Sequence, residues 1–248
     1  MIGCHDETGL YREPIFVEFR DTDRDQHVKL STWLAWLADL AGGDYEARGL
    51  GRDELIRRGQ VFLVNRFALK VHRMPERYEN LAAMTWEHGT EAIYFNRYYR
   101  FETEQGERVA EGRSAWLLCD PVNHRILRPR ALDHEVRNID RDVDCPQMEQ
   151  IPVPDDLQLL GQRKIVYTDL DANRHVYCAN YGNIIADHLP DELVSLPIST
   201  LEITYAKEAV LGETLDILGA QTPEGYVIVG RHPDGNNSFV SRIQTGLR

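Results

Sequence analysis

The stretch Tyr167–Leu189, YTDLDANRHVYCANYGNIIADHL, decides how the rest of the chain is interpreted. It begins at the end of an apolar segment, passes through a polar cluster and continues with apolar residues at helical spacing. This pattern predicts a strand, a polar loop and a helix of about Ala179–Leu189. In an extended loop Asp171, Asn173 and His175 would point to one side, because side chains alternate along a strand. They are therefore candidate catalytic residues near a helix start, whose free N–H groups favour developing negative charge.

The first support for a catalytic role is an internal repeat, since turn chemistry alone would explain Asp and Asn here. Phe19–Val28 reads FRDTDRDQHV and Tyr167–Val176 reads YTDLDANRHV, with both Asp, the His and the Val at a constant offset. One strand–loop–helix unit therefore occurs twice. Asp25 of the first copy is replaced by Asn173, an amide that can donate the hydrogen bond a carbonyl oxygen needs.

The second support lies downstream, where Thr200–Leu215 aligns with Arg66–Leu81 at another constant offset. Alternating apolar residues in this segment predict a half-buried strand. Glu208 stands where the first copy has Met74, so the carboxylate is present in the second copy only. Glu208 is the fourth candidate catalytic residue, and the C-terminal half is predicted to be the catalytic one.

Length and repeat together predict the domain organisation. The 248 residues are enough for two fused copies, each with its own core. We expect an N-terminal domain at 1–127, a proline-containing linker at 128–158 and a catalytic C-terminal domain at 159–248. In each domain one helix is followed by several strands, which predicts an α+β unit whose antiparallel sheet wraps around the helix. Ser31 or Thr32 is expected to cap the first helix.

Charge and cysteine content exclude several functions. A formal net charge of −12 argues against a nucleic-acid partner, because phosphate binding needs clustered Lys and Arg. The four cysteines are scattered without a C-x-x-C pair, which favours a reducing cytoplasm and gives no zinc signature. The Asp21–Asp25 run lacks the Gly and Glu of a calcium loop. No membrane-spanning segment or signal peptide is predicted, so we expect a cytoplasmic protein.

The motifs resemble those of a known family. Strand, central helix and antiparallel sheet, duplicated in tandem, is the layout of the double hotdog fold. D-L-D-A-N-R-H-V at Asp169–Val176 and L-E-I-T-Y-A-K-E-A at Leu201–Ala209 resemble the signatures of the acyl-acyl-carrier-protein thioesterases, the FatA/FatB-like family of plants and bacteria. Parts of the first half also fit that family: Asn65–Trp86, Arg97, Tyr99–Phe101, Gly106-Glu107 and Ser114–Asp120.

The resemblance implies an activity and a set of site residues. It implies a hydrolase that cleaves fatty acyl-acyl-carrier-protein thioesters to free fatty acid and carrier protein, without cofactor or metal. The family's catalytic Asp, Asn, His and Glu fall on Asp171, Asn173, His175 and Glu208. The Cys that plant members often carry after that Glu is Ala209 here, which argues against a thiol nucleophile. The partner it implies is an acyl carrier protein loaded with a fatty acyl chain, and it leaves open whether the chain forms a homodimer.

One departure from the family lies beside these residues. The family usually continues H-V-N-N-x-x-Y, whereas Tyr177 and Cys178 replace both asparagines here. The shape of the pocket mouth and the acyl preference are therefore open. Cys178 is expected to be a small apolar residue rather than a nucleophile.

The sequence also suggests a role for each catalytic residue, a tunnel for the acyl chain and a docking surface for the carrier protein. Glu208 and His175 would position and deprotonate water, Asp171 would orient them, and Asn173 would hold the carbonyl oxygen. A tunnel for the acyl chain could be lined by Trp33, Trp36 and Leu37, although a core role is equally compatible with the sequence. An acidic carrier protein requires a positive face, and the candidates, which could also be plain solvated surface, are Arg57, Arg58, His124, Arg125, Arg128 and Arg130.

Three alternative functions stay open on the sequence. An acyl-CoA thioesterase would use the same fold and chemistry. A hotdog hydratase would use a similar Asp/His pair on an enoyl thioester, but its D-x-N-P-hydrophobic-H pattern is not matched, since Arg174 separates Asn173 from His175 without a proline. A non-catalytic protein would bind an acyl thioester and leave it uncleaved.

Overall fold

The computed structural model describes residues 3–246, with four helices and one large sheet in that range. The helices are α1 (Leu30–Ala47), α2 (Arg52–Arg57), α3 (Asn180–Ala186) and α4 (Asp191–Val194). The strands are β1 (Cys4–His5), β2 (Tyr11–Phe16), β3 (Val61–Val71), β4 (Asn80–Glu91), β5 (Tyr94–Thr103), β6 (Arg108–Cys119), β7 (Ile126–Leu127), β8 (Gln158–Lys164), β9 (Ile198–Tyr205), β10 (Thr214–Thr222), β11 (Gly225–Arg231) and β12 (Asn237–Thr245).

The strands of the two halves join edge to edge. The first half has the order β1-β2-β4-β5-β6-β3, the second half has the order β9-β12-β11-β10-β8, and β7 pairs with β6. Strands β3 and β9 are antiparallel neighbours, with Phe67 opposite Ile203 and Leu69 opposite Leu201. This pairing makes the sheet continuous from one half to the other, and the paired apolar residues are buried.

One face of the sheet wraps around the helices. Helix α1 buries Trp33, Leu34, Leu37 and Leu40, the spacing that places residues on one helical face. It packs beside α3, and a Cβ at Gly182 of α3 would lie 2.5 Å from the backbone nitrogen of Ser31. The two helices therefore approach closely at a glycine, and the core beneath them is shared by both halves.

The segment between the halves lies on the opposite face of the sheet. It has a short 3₁₀ turn at Pro129–Ala131 and buries Val143, Cys145 and Ile151. Arg113 of β6 anchors it by donating hydrogen bonds to Gln147 Oε1, Asp142 Oδ1 and the Val143 carbonyl. The domain boundaries drawn from the sequence, with 128–158 as a linker, stay a prediction.

Two of the differences from the sequence-based expectations concern a helix cap and the end of a strand. Helix α1 begins after Lys29 and has no side-chain cap, so neither Ser31 nor Thr32 caps it. In the second half the strand ends at Lys164, and the apolar run Ile165–Tyr167 leads into a 3₁₀ turn. Tyr167 there is 81% exposed, so apolar character alone did not signal a strand.

The length and hydropathy of the helices bear on membrane insertion. Within residues 3–246, none of the helices combines the length and apolar character that a bilayer crossing requires. The cytoplasmic location stays a prediction.

Candidate active site

Asp171, Asn173 and His175 lie on a tight turn. The Asp171 N–H donates to the His175 carbonyl at 2.9 Å and the Arg174 N–H donates to the Asp171 carbonyl at 3.0 Å. Arg174 has φ of +67°, the left-handed region that such turns use. The expected extended backbone was therefore wrong, although the turn still brings all three side chains to one cavity.

The Asp171 carboxylate shapes this turn. Its Oδ1 accepts hydrogen bonds from the backbone N–H groups of Asn173 at 2.8 Å and His175 at 3.4 Å. Its Oδ2 lies 3.5 Å from the Asn173 amide nitrogen. The carboxylate therefore faces its own turn, the usual behaviour of an Asp that mimics a backbone turn.

Glu208 reaches the turn through backbone pairing. It follows β9, and the Val176 N–H donates to the Ala209 carbonyl at 3.0 Å, while His175 and Val210 form an isolated antiparallel bridge. This pairing places Glu208 Oε2 3.1 Å from His175 Nε2. All four predicted residues thus meet, although Glu208 is distant from the turn in sequence.

The four side chains line a cavity of about 320 Å³ at the junction of the halves. The first half contributes part of its wall through residues of α1, β3 and β6, namely Ala38, Asp39, Phe62, Leu63, Val64, Asn65, Trp116 and Leu117. Asn65 Nδ2 donates to the Tyr205 carbonyl at 2.8 Å, and Tyr205 Oη donates to the Cys178 carbonyl at 2.9 Å. The cavity therefore depends on both halves.

The two residues that depart from the family also line this cavity. Tyr177 Oη donates to Asp39 Oδ1 at 3.3 Å, and burial raises the pKa of Asp39. Burial also raises the pKa of the Cys178 thiol to about 12, which keeps it protonated at neutral pH. A protonated thiol is a poor nucleophile, which agrees with the small apolar role expected for Cys178.

An apolar side cavity of about 170 Å³ adjoins the main one. The two share Ala38, Phe62, Trp116 and Asn173, and the side cavity continues between α1 and α2 past Gly42 and Leu55.

The side cavity is not the tunnel predicted along Trp33, Trp36 and Leu37. Trp33 and Leu37 are fully buried, and both tryptophan rings pack against Phe101. These three residues face the sheet, and the cavity lies along the adjacent face of α1.

The first half contains the same turn without the carboxylate. The Asp23 N–H donates to the His27 carbonyl at 2.8 Å, and Gln26 has φ of +68°. At the position equivalent to Glu208, the Met74 sulfur lies 3.3 Å from the Val28 nitrogen. The repeat found in the sequence is therefore a structural repeat, and a thioether replaces the titratable group.

Arg52 touches the site and was not found by sequence reasoning. Its Nη2 lies 2.7 Å from Asn173 Oδ1. It belongs to the first half, 121 residues from Asn173, and the short helix α2 that carries it was not predicted. The available signal was Gly51 followed by acidic residues at 53 and 54, a pattern typical of a helix start.

These observations define the class of the protein: two helix-on-sheet units fused in tandem, with a His–Glu pair at their junction. The model of the acyl-ACP thioesterase N-terminal domain matches residues 9–138, and that of the C-terminal domain matches residues 157–245. The chain belongs to the acyl-ACP thioesterase family, which confirms the resemblance seen in the motifs.

Solved structures confirm the double hotdog fold. A crystal structure of an acyl-ACP thioesterase from Bacteroides thetaiotaomicron superposes with a TM-score of 0.80 at 20% identity, covering 96% of this chain and 98% of that one. The 12:0-ACP thioesterase from Umbellularia californica gives a TM-score of 0.75 at 16% identity, covering 95% and 96% of the respective chains.

A curated relative is similar over most of this chain. The chloroplastic acyl-[acyl-carrier-protein] hydrolase FATB2 from Cuphea viscosissima is 22% identical over 237 residues, which cover 87% of this chain. The match spans 56% of that relative's length.

Proposed function

We propose that the protein hydrolyses fatty acyl-acyl-carrier-protein thioesters to free fatty acid and carrier protein. The observation that carries this proposal is the contact of 3.1 Å between His175 Nε2 and Glu208 Oε2, beside the Asn173 amide in one cavity. Hydrolysis of a thioester by water requires a general base, which the His–Glu pair can supply, and a hydrogen-bond donor to the carbonyl oxygen, which the amide can supply.

The His175–Glu208 pair would activate the water. The side chain of Glu208 is 40% exposed and that of His175 is 22% exposed, so a water can reach both. The water oxygen attacks the thioester carbonyl carbon while the water passes one proton to the His175–Glu208 pair. When the tetrahedral intermediate collapses, the carbon–sulfur bond breaks and the proton returns to the leaving thiolate.

Asn173 and Asp171 would have different tasks. The Asn173 Nδ2–H group would donate to the carbonyl oxygen as negative charge develops on it. The start of helix α3 would not stabilise the oxyanion, because the helix begins only at Asn180, whose N–H already donates to the Tyr177 carbonyl. Asp171 would act through the turn by holding the backbone of Asn173 and His175.

The apolar side cavity would take the acyl chain. It opens from the main cavity at Asn173, where the carbonyl would lie, and its wall is mainly apolar. An apolar cavity of roughly 150 Å³ holds a molecule of about benzene's size. The 170 Å³ side cavity would therefore hold about six chain carbons, which favours medium over long chains.

The carrier protein would dock beside α2. Gln60 Nε2 donates to the Ala131 carbonyl at 2.6 Å, which places α2 next to the 128–131 segment. Both carry exposed arginines, namely Arg57, Arg58, Arg128 and Arg130. This positive face lies on the side of the molecule from which Arg52 reaches Asn173, and it would complement an acidic carrier. All residues of the mechanism come from one chain, so the proposal does not require a homodimer.

Free-thiol release from a panel of substrates tests the proposal. The protein is incubated with acyl-carrier-protein and acyl-CoA thioesters of graded chain length, and with an enoyl thioester. We expect thiol release, fastest with the carrier protein at medium chain length. Release from CoA at equal or higher efficiency would instead identify an acyl-CoA thioesterase. Hydration of the enoyl thioester without thiol release would identify a hydratase, and binding without either reaction would identify an acyl-thioester sensor.

A further inference from the structure

Arg52 bridges the two halves at the reacting end of the cavity. Its Nη2 and Nε lie 2.7 and 3.3 Å from Asn173 Oδ1, and Nη2 also donates to the Ala172 carbonyl at 3.3 Å. Its ion-pair contact is with Asp53 at 3.8 Å, and the side chain of Asp53 is 97% exposed. A pair so exposed contributes little, so the main engagement of the guanidinium is with the turn.

The chemistry of the guanidinium fixes the orientation of the amide. An arginine side chain only donates, so Asn173 must turn its oxygen toward Arg52 and its NH₂ group away from it. An asparagine without such a partner rotates freely about its last torsion, which has a broad profile. Asp171 Oδ2 lies 3.5 Å from Nδ2, which leaves the other amide hydrogen free to donate.

We propose that Arg52 is a positioning residue that locks the Asn173 amide with its N–H toward the thioester carbonyl oxygen. The inference rests on the proposed hydrolysis and adds a contribution from the first half to the chemistry. The positively charged guanidinium beside the amide oxygen also polarises the amide N–H, because hydrogen bonds in series strengthen one another.

The start of α2 is built to hold Arg52 in place. A Cβ at Gly51 would lie 1.6 Å from Glu46 Oε2, so the Glu46 side chain at the end of α1 packs directly against the start of α2. Leu55, one turn later, is 5% exposed and anchors the helix. The backbone of Arg52 is thereby fixed relative to Asn173.

Steady-state kinetics of Arg52→Gln and Arg52→Lys test this role. We expect kcat to fall about 10- to 100-fold for Arg52→Gln, below the loss from removing an oxyanion donor, with KM changed much less. Arg52→Lys should retain more of kcat than Arg52→Gln does, because the lysine ammonium keeps the positive charge but cannot donate two parallel hydrogen bonds as the guanidinium does. Arg20→Gln is the control, since Arg20 lies outside both cavities and the docking face, is 79% exposed and pairs with Glu18.

A double variant separates positioning from other roles. In the Asn173→Ala background, Arg52→Gln should cause no further loss of kcat, because the amide it orients is gone. An additional loss there, an effect of Arg52→Gln on KM alone, or an unchanged kcat would overturn the inference. Equal unfolding temperatures of Arg52→Gln and Arg20→Gln would support it, whereas a lower value for Arg52→Gln alone would indicate a structural role. Absence of thiol release by the unsubstituted protein would instead refute the proposed function.

Discussion

Position 208 distinguishes the two halves at the scale of single residues. Both halves form the same turn, with positive φ at Gln26 and at Arg174. Glu208 lies 3.1 Å from His175 in the second half, whereas Met74 occupies the equivalent place in the first. A thioether accepts protons negligibly compared with a carboxylate, so the account assigns water activation to the second half alone.

The side cavity leads to a prediction about chain length at Gly42. A Cβ at this glycine of α1 would have no atom within 4 Å, and the residue lines the side cavity. Gly42→Val should therefore fold and shift thiol release toward shorter acyl chains. Ala47→Val, an exposed change on the same helix, is the control and should leave the chain-length profile unchanged. An unaltered profile in Gly42→Val would rule out the side cavity as the acyl site.

At the scale of elements, the repeat in the sequence predicted the main strands well. Alternating apolar residues predicted a half-buried strand within Thr200–Leu215, and the structure has β9 at Ile198–Tyr205 with Leu201 and Ile203 buried. The short helix α2 was missed. The end of the strand before the polar loop was misplaced, because β8 (Gln158–Lys164) lies at the sheet edge, shows little burial and lacks apolar alternation.

The candidate site was predictable in identity but not in geometry. The motif repeat singled out Asp171, Asn173, His175 and Glu208, and the structure brings all four to one cavity. Their catalytic roles stay predictions. Arg52 could not be found, because its contact depends on how the two halves meet, and no local pattern encodes that arrangement.

A second prediction concerns the segment that joins the halves. Arg113 is buried and donates to Gln147, Asp142 and the Val143 carbonyl. Arg113→Met should lower the free energy of unfolding by about 1–3 kcal/mol, because it removes the three hydrogen bonds that hold the segment to β6. Urea unfolding measures this loss, and limited proteolysis should show faster cleavage within 128–157. Arg141→Met, at an exposed position, should have little effect, and equal midpoints for the two variants would refute the anchoring role.

At the scale of the whole molecule, a buried ionic network lies beneath α1. Arg97 Nη2 lies 2.6 Å from Asp44 Oδ2, and Arg48 Nη1 lies 2.9 Å from Glu87 Oε2. Burial alone would raise the pKa of both carboxyls, but the arginines outweigh it and lower both values. This network links the end of α1 to β4 and β5. These strands belong to the sheet through which the first half of the chain contributes to the cavity wall.

The third prediction is a pH dependence of stability. Since the folded pKa values of Asp44 and Glu87 lie below the ordinary values of 3.8 and 4.5, these carboxylates stabilise the fold fully above those values. Their contribution is lost as the pH falls through the folded pKa. Arg97→Met should cost about 3–5 kcal/mol at neutral pH, because the buried carboxylates of Asp44 and Glu87 would then share a single arginine, Arg48.

Urea unfolding at several pH values checks this prediction. The difference in free energy of unfolding between the unsubstituted protein and Arg97→Met should narrow below about pH 4, where protonation removes the excess negative charge. A gap that is constant with pH would show that the network contributes packing rather than charge. Arg20→Met is the control, because Arg20 pairs with Glu18 at the surface with 79% of its side chain exposed.

The most direct test of the central claim compares thiol release by Glu208→Gln and His27→Ala with that of the unsubstituted protein. We expect Glu208→Gln to lose turnover by about 100-fold or more, because a general base is removed. We expect near-normal turnover for His27→Ala, since the first half lacks the partner carboxylate. Near-normal turnover in Glu208→Gln, or an equal loss in His27→Ala, would contradict the account.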